Sequence, residues 1–151
     1  MKSSVKKIYI AADHAGFILK EFLIKELINL GFSTMDLGCD SEEKSVDYPD
    51  YAQKLCKKIS QKSNTKKEIG VLICGSGIGI SIAANRFKHI RAALCGNIKS
   101  AKLSRAHNDA NVICFGARSI SEKTALASLK TFLSTDFEDG RHGKRVQKLS
   151  K

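Results

Sequence analysis

Apolar positions along this chain fall into short runs that alternate with helical patterns. Ile8 to Ala12 is an apolar run that reads as a strand. Asp13-His14-Ala15-Gly16 then turns into a helix over Phe17 to Leu30. Its polar residues Lys20, Glu21, Lys25, Glu26 and Asn29 fall on one face, and Gly31 closes it. Phe32 to Leu37 is a second, more polar strand suited to a sheet edge, and Gly38 to Asp47 is a polar loop. Asp47-Tyr48-Pro49 opens the next helix, with Pro49 in its first turn and Ala52, Leu55, Cys56 and Ile59 as its apolar stripe. Ser60 to Lys67 is a basic surface loop. Val71 to Ile73 is apolar without alternation, the mark of a strand buried on both faces.

Glycines follow that strand at every second position, Gly75, Gly77 and Gly79, before a small helix carrying Ile80, Ile82, Ala83 and Ala84. Ile90 to Cys95 is a fourth strand, followed by a helix over Ile98 to Ala106 with Ala101 and Leu103 facing inward. His107 to Asn111 is a turn, and Val112 to Phe115 is the fifth strand. Ser119 and Glu122 have capping-box spacing for a helix through Leu133. The tail from Asp139 to Val146 is helical in part, which sets Arg141 and Arg145 on one face at i, i+4.

Strands that alternate with helices predict an α/β fold. It is a single domain over residues 1–151 with a doubly wound, Rossmann-like, five-stranded parallel sheet in three α/β/α layers. Ligands in such sheets bind at the carboxyl ends of strands beside the switch point. With strand order 2-1-3-4-5, that point lies between strands one and three. Asp13-His14 and Cys74 with its glycines then flank the crevice.

The glycine turn places backbone N–H groups at the end of a buried strand, which makes an anion site. Two familiar motifs do not fit. The dinucleotide fingerprint needs G-x-G-x-x-G with an acid about 20 residues on, whereas the spacing here is G-x-G-x-G and the region near Cys95 has no acid. A P-loop needs Gly-Lys-Ser/Thr, and no lysine lies between Lys67 and Lys88. The turn therefore suits an anion other than a nucleotide pyrophosphate. A turn that only packs helix and strand closely accounts for the same glycines.

Composition narrows the setting. At 151 residues and 42% hydrophobic content with one proline, the chain can bury a core and is not disordered. No apolar run approaches the ~18 residues needed to span a bilayer, and the basic Met1 to Lys7 segment leads into a strand, not a signal-peptide core. The five cysteines, Cys39, Cys56, Cys74, Cys95 and Cys114, are odd in number and form no C-x-x-C, which suggests a reduced, cytoplasmic protein without a zinc site. A net charge of +11 raises nucleic acid as a partner. The charge is mostly dispersed lysine and aromatics are 7%, so a solvated surface accounts for it better. Arginines are few, and each is better suited than lysine to bidentate phosphate contacts.

Several segments together resemble the type B ribose-5-phosphate isomerases. They are Ala12-Asp13-His14-Ala15-Gly16, Asp47-Tyr48-Pro49, Cys74 through Asn85, Leu103 through Asp109, Phe115-Gly116-Ala117-Arg118, and Gly140-Arg141-His142 with Arg145. They occur in family order and cover nearly the whole chain. The resemblance implies interconversion of ribose 5-phosphate and ribulose 5-phosphate in the non-oxidative pentose phosphate pathway. A proton moves between C2 and C1 through an enediolate, with no metal or organic cofactor. It implies that Cys74 is the base, a role that neighbouring N–H groups suit by favouring thiolate; Cys95 and Cys114 are structural. In one branch of the family a Glu after the third glycine replaces this Cys, but Ile80 stands there in this chain.

By the same resemblance, the amides of Gly75, Ser76, Gly77, Ile78 and Gly79 stabilise the enediolate, and Ser76, in place of the commoner Thr, shuttles protons. His107 assists ring opening, and Asn108 binds substrate beside it. Asp13, His14, Tyr48, Arg118, Arg141 and Arg145 bind substrate or phosphate. Each has a plainer reading: Asp13 a helix cap, Arg141 and Arg145 a solvated basic face, His107 a hydrogen-bonded structural residue. The competing functions are an isomerase of galactose 6-phosphate or allose 6-phosphate, a non-catalytic phosphometabolite-binding domain and, weakest, a nucleic-acid binder.

One conflict concerns assembly. Cys74 ends strand three, whereas His107 follows the helix after strand four and so belongs at the opposite sheet edge. A helix of about ten residues is roughly 15 Å long, too far for both to touch one five-carbon substrate. The conflict disappears in a homodimer whose sites combine Cys74 of one chain with His107 of the other. In that dimer the tail, about residues 136–151, packs on the partner. Whether dimers pair into tetramers is left open.

Overall fold

The computed structural model describes residues 4–61 and 67–150. The middle of the expected Ser60 to Lys67 loop, residues 62–66, and the first three residues lie outside them. The strands are β1 (Lys7–Ala12), β2 (Thr34–Asp36), β3 (Glu68–Cys74), β4 (Ala92–Leu94) and β5 (Val112–Gly116). The helices are α1 (Phe17–Asn29), α2 (Tyr48–Lys58), α3 (Ile78–Ala84), α4 (Ile98–Asn108), α5 (Glu122–Ser134) and α6 (Arg141–Leu149), with a 3-10 turn at His14–Gly16. All pairings are parallel.

The sheet order is β2-β1-β3-β5-β4, not the expected 2-1-3-4-5. The chain steps past the β5 position to lay down β4, then returns to fill the gap. The switch point between β1 and β3 is unaffected. Right-handed crossovers that run in opposite directions put their helices on opposite faces. Accordingly α2 and α3 pack together on one face, and α4 and α5 pack together on the other, where α1 also meets α5.

Each central strand splits its side chains between two cores with period two. Ile8, Ile10, Ile69, Val71, Ile73, Ile113 and Phe115 join Leu19, Leu23, Leu27, Leu129 and Phe132. Tyr9, Ala11, Leu72, Cys74, Val112 and Cys114 join Leu55, Cys56, Ile80 and Ala84. Burial on both faces explains why β3 lacks alternation. Among the described residues, no helix is long and apolar enough to cross a membrane.

Local expectations fail at four places. Lys20, expected on the polar face of α1, is fully buried, and its Nζ meets Asp36 at 2.7 Å and Glu21 at 2.6 Å. Its long stem reaches across to the acid that ends β2. Leu103, expected to face inward, is 38% exposed, whereas Ala101 is buried. The cap of α5 is Ser121, which accepts from Thr124 N–H, and not Ser119, whose hydroxyl donates to the Gly116 carbonyl. Finally, α4 runs on through His107 and Asn108, and the left-handed residue that stops it is Asp109 (φ 47°).

Candidate active site

Cys74 ends β3 opposite Gly116 of β5 and is almost fully buried. Its Sγ accepts the Gly77 N–H at 3.1 Å. Such a donor stabilises a thiolate more than a thiol. The other four cysteines are placed differently. Burial pushes the Cys56 thiol up to about 12 and Cys114 well above the ordinary thiol value. Cys39 and Cys95 are raised for the same reason.

The turn after Cys74 is stitched to the turn after β5. Ala117 N–H donates to the Cys74 carbonyl at 2.9 Å, and Arg118 N–H donates to the Gly75 carbonyl at 3.0 Å. This is possible because β5, and not β4, neighbours β3. Gly77 is left-handed (φ 76°), and a Cβ there would lie 2.8 Å from the Phe115 backbone. At Gly75 a Cβ would lie 2.7 Å from Arg118 Nη1, and at Gly79 one would meet the Tyr48 ring. Glycines here leave room for the Arg118 guanidinium and the Tyr48 ring. Ser76 is exposed, and its Oγ accepts the Ile78 N–H at 3.2 Å. Gly77 and Ile78 amides thus point at the thiol and the hydroxyl.

Asp13 closes the other side. Its N–H donates to the Ile73 carbonyl at 3.1 Å, and its buried Oδ1 caps the 3-10 turn through Gly16 N–H at 3.1 Å. The plainer reading of Asp13 as a cap is therefore real in this structure. His14 Nδ1 accepts the Val46 N–H at 3.1 Å, so a neutral His14 ring carries its proton on Nε2. This bond ties the polar loop before α2 to the crevice.

Asp13, His14, Tyr48, Cys74, Gly75, Ser76, Gly77, Ile78, Gly79 and Arg118 thus gather at the carboxyl edge of β1, β3 and β5. His107 and Asn108 do not join them. They end α4, which delivers the chain to the amino end of β5. Arg141 and Arg145 are exposed on α6, which packs against α4. Sequence reasoning missed a local constellation there: the His142 ring stacks on His107 at 4.1 Å between centroids, and Glu138 lies beside both. The i, i+4 spacing of Glu138 and His142 was the available signal. Among the described residues, His107, Glu138 and His142 are also the grouping with metal-ligand chemistry.

Known proteins share this architecture and sequence. Ribose 5-phosphate isomerase B from Anaplasma phagocytophilum superposes with a TM-score of 0.91 at 52% identity, covering 99% of both chains. The corresponding Mycoplasma genitalium enzyme, solved with bound ribulose-5-phosphate, gives 0.90 at 38% identity over 95% of this chain and 93% of that one. Ribose-5-phosphate isomerase B of Escherichia coli K12 is 41% identical over 146 residues, 97% of this chain and 95% of its own length. The Ribose/Galactose Isomerase profile matches residues 8–149, which takes in both the Cys74 turn and the His107 cluster, and this chain belongs to that family.

Proposed function

We propose that this chain interconverts ribose 5-phosphate and ribulose 5-phosphate, with Cys74 carrying the proton between C2 and C1. The observation that supports it most directly is the Gly77 N–H aimed at a buried Cys74 Sγ inside an amide-lined turn. Substrate arrives mostly as a closed ring. As the C1–O4 bond breaks, His107 gives a proton to O4 and takes the proton of O1. The Cys74 thiolate then removes the C2 proton, and the electron pair forms the C1–C2 double bond with negative charge on O1. Turn amides from Gly75 to Gly79 stabilise that oxygen; one such donor is typically worth about 3 kcal/mol. Ser76 relays the O2 proton to O1, and the Cys74 thiol returns its proton to C1. Asp13, His14, Tyr48, Asn108 and Arg118 orient the sugar, and Arg141 and Arg145 bind the phosphate.

The active form is a homodimer in which His107, Asn108 and the tail of one chain complete the Cys74 crevice of the other. Two facts support it. An α4 of 11 residues separates the two sheet edges within a chain. Ile78, Ile82, Leu94, Ile98 and Leu103 are each at least 38% exposed, an apolar set beside the crevice that a partner would cover. Five free cysteines suit the reducing cytoplasm.

A coupled assay with ribose 5-phosphate, galactose 6-phosphate and allose 6-phosphate tests the function. Ribose 5-phosphate should give the highest kcat/KM. Turnover of a six-carbon substrate alone would reassign the substrate, and binding without turnover would make the chain a carrier.

A further inference from the structure

The imidazole assigned to ring opening sits in a built environment. His107 and His142 rings are nearly parallel, 11° between planes, and 4.1 Å apart. One Glu138 oxygen, Oε2, lies 3.7 Å from His107 Nε2 and 3.8 Å from His142 Nε2. Glu138 is placed by its own N–H, which donates to the Ala106 carbonyl at 3.0 Å. The next two residues, Asp139 and Gly140, both have φ 56°, and this sharp turn folds α6 back so that His142 lands on His107.

Two imidazoles and a carboxylate within 4.8 Å of one another could in principle hold a metal ion or share a proton. Geometry separates the two. A metal needs both ring lone pairs to converge on one point about 2.0–2.1 Å from each nitrogen. Stacked parallel rings aim their lone pairs side by side, so an ion in the plane of one ring stands out of the plane of the other. A shared positive charge needs only proximity.

We propose that Glu138 is a positioning residue for His107: together with the stacked His142 ring it confines the pair to one positive charge and keeps that charge on His107. This rests on His107 being the ring-opening group. Two stacked imidazolium rings repel, and one carboxylate offsets one charge. His142 is the member that stays neutral. Burial lowers its proton affinity most, and His107, Arg141 and Arg145 lower it further against the pull of Glu138. Elsewhere around the pair, Arg105 of α4 has its charge matched by Asp109 at 3.0 Å, and the Asp139 carboxylate lies over Gly143 of α6. The proton that ring opening consumes at O4 is thus held on the accessible ring, while the second ring supports it without competing.

The test is a histidine NMR titration of the full-length protein, wild type and Glu138→Gln, without substrate. Loss of the carboxylate should lower the His107 pKa by about half a unit or more. His142→Phe keeps a ring in the stack but removes the competing site, and should raise it. In kinetics, Glu138→Gln should lower kcat/KM for ribose 5-phosphate roughly tenfold and shift the basic limb of its pH profile downward, because His107 must be protonated to act as the acid. Exchange of the C1 protons of ribulose 5-phosphate with D2O should stay within about twofold, because that ketose has no ring to open. Glu138→Asp should recover part of the loss. An unchanged His107 titration in both variants would overturn the proposal, as would exchange and isomerisation falling together, or stoichiometric Zn²⁺ displacing both ring signals. The titration needs no turnover, so it stands apart from the test of the function itself.

Discussion

A thiol is a useful carbon base only where its charged form is stabilised and its escape into bulk water is blocked. Cys74 is nearly buried, and its Sγ accepts an N–H at 3.1 Å. Cys74→Ala should fold normally and lose nearly all isomerisation together with substrate-dependent exchange of the C2 proton, followed by NMR in D2O. Cys95→Ala should keep both, since burial holds that thiol protonated. Near-normal turnover of Cys74→Ala would remove it from the mechanism. The position of Cys74 was legible because glycine spacing is a local property and the family resemblance falls on the same stretch. That of Lys20 was not. A helical wheel sorts lysine to the water side, whereas the acid Lys20 reaches lies 16 residues on, at the end of another element. Burial alone, the largest single effect, would lower the Lys20 ammonium, but the bonds to Asp36 and Glu21 together outweigh it and raise it above 10.5. A raised folded value means the charged form is favoured in the fold. Its stabilisation is therefore full below pH 10.5 and fades as pH climbs through the raised value. In urea denaturation between pH 8 and 12, the stability of wild type relative to Lys20→Met should hold and then decline above about 10.5. A flat difference across that range would mean the pair contributes nothing.

Among the elements, α6 carries two arginines whose purpose a single chain leaves unexplained. It is strongly basic, packs lightly on α4, and holds Arg141 and Arg145 out to solvent. If these arginines grip the phosphate of a substrate bound to the partner, Arg141→Ala and Arg145→Ala should each raise KM and leave kcat less affected. Each lost charge-assisted contact should cost about 1.5–3 kcal/mol, which steady-state kinetics reads as roughly a 10- to 100-fold change. Unchanged KM in both would make the helix a solvated surface. The helical character of this tail was legible from its spacing, as was every strand. The end of α4 was not: His107-Asn108-Asp109 reads as a turn, yet the helix continues until Asp109 adopts φ 47°. The difference matters, because a helical His107 can stack on His142, which a turn would not hold in place. Leu103 was misread because periodicity identifies an apolar face without saying whether this chain or another covers it.

For the whole molecule, the separation of Cys74 from His107 can be tested by mixing. Cys74→Ala and His107→Ala proteins should each be inactive alone. Co-refolded, random pairing makes about half of the dimers mixed, and each mixed dimer carries one intact site and one doubly defective one. Activity should return to roughly a quarter of wild type. No recovery, with mixed dimers shown by mass spectrometry, would put both residues to work within one chain. Layering and parallel pairing were readable from alternating elements, but strand order was not. Helices that connect parallel strands look the same in sequence whether a strand is laid beside its predecessor or one place further out. The order found here has a consequence for how the protein is made. Among the described residues β4 pairs with β5 and with no other strand, and β3 lacks its second neighbour until β5 arrives. As the chain leaves the ribosome, β1, β2 and β3 can assemble, but β4 emerges with its edge open and its slot unbraced. Only when Val112–Gly116 follows does one insertion seal the sheet and bring Ala117 and Arg118 against the Cys74 turn. The strand that fills the sheet and the Ala117–Arg118 wall of the Cys74 turn therefore arrive together, and a chain halted before residue 112 has neither.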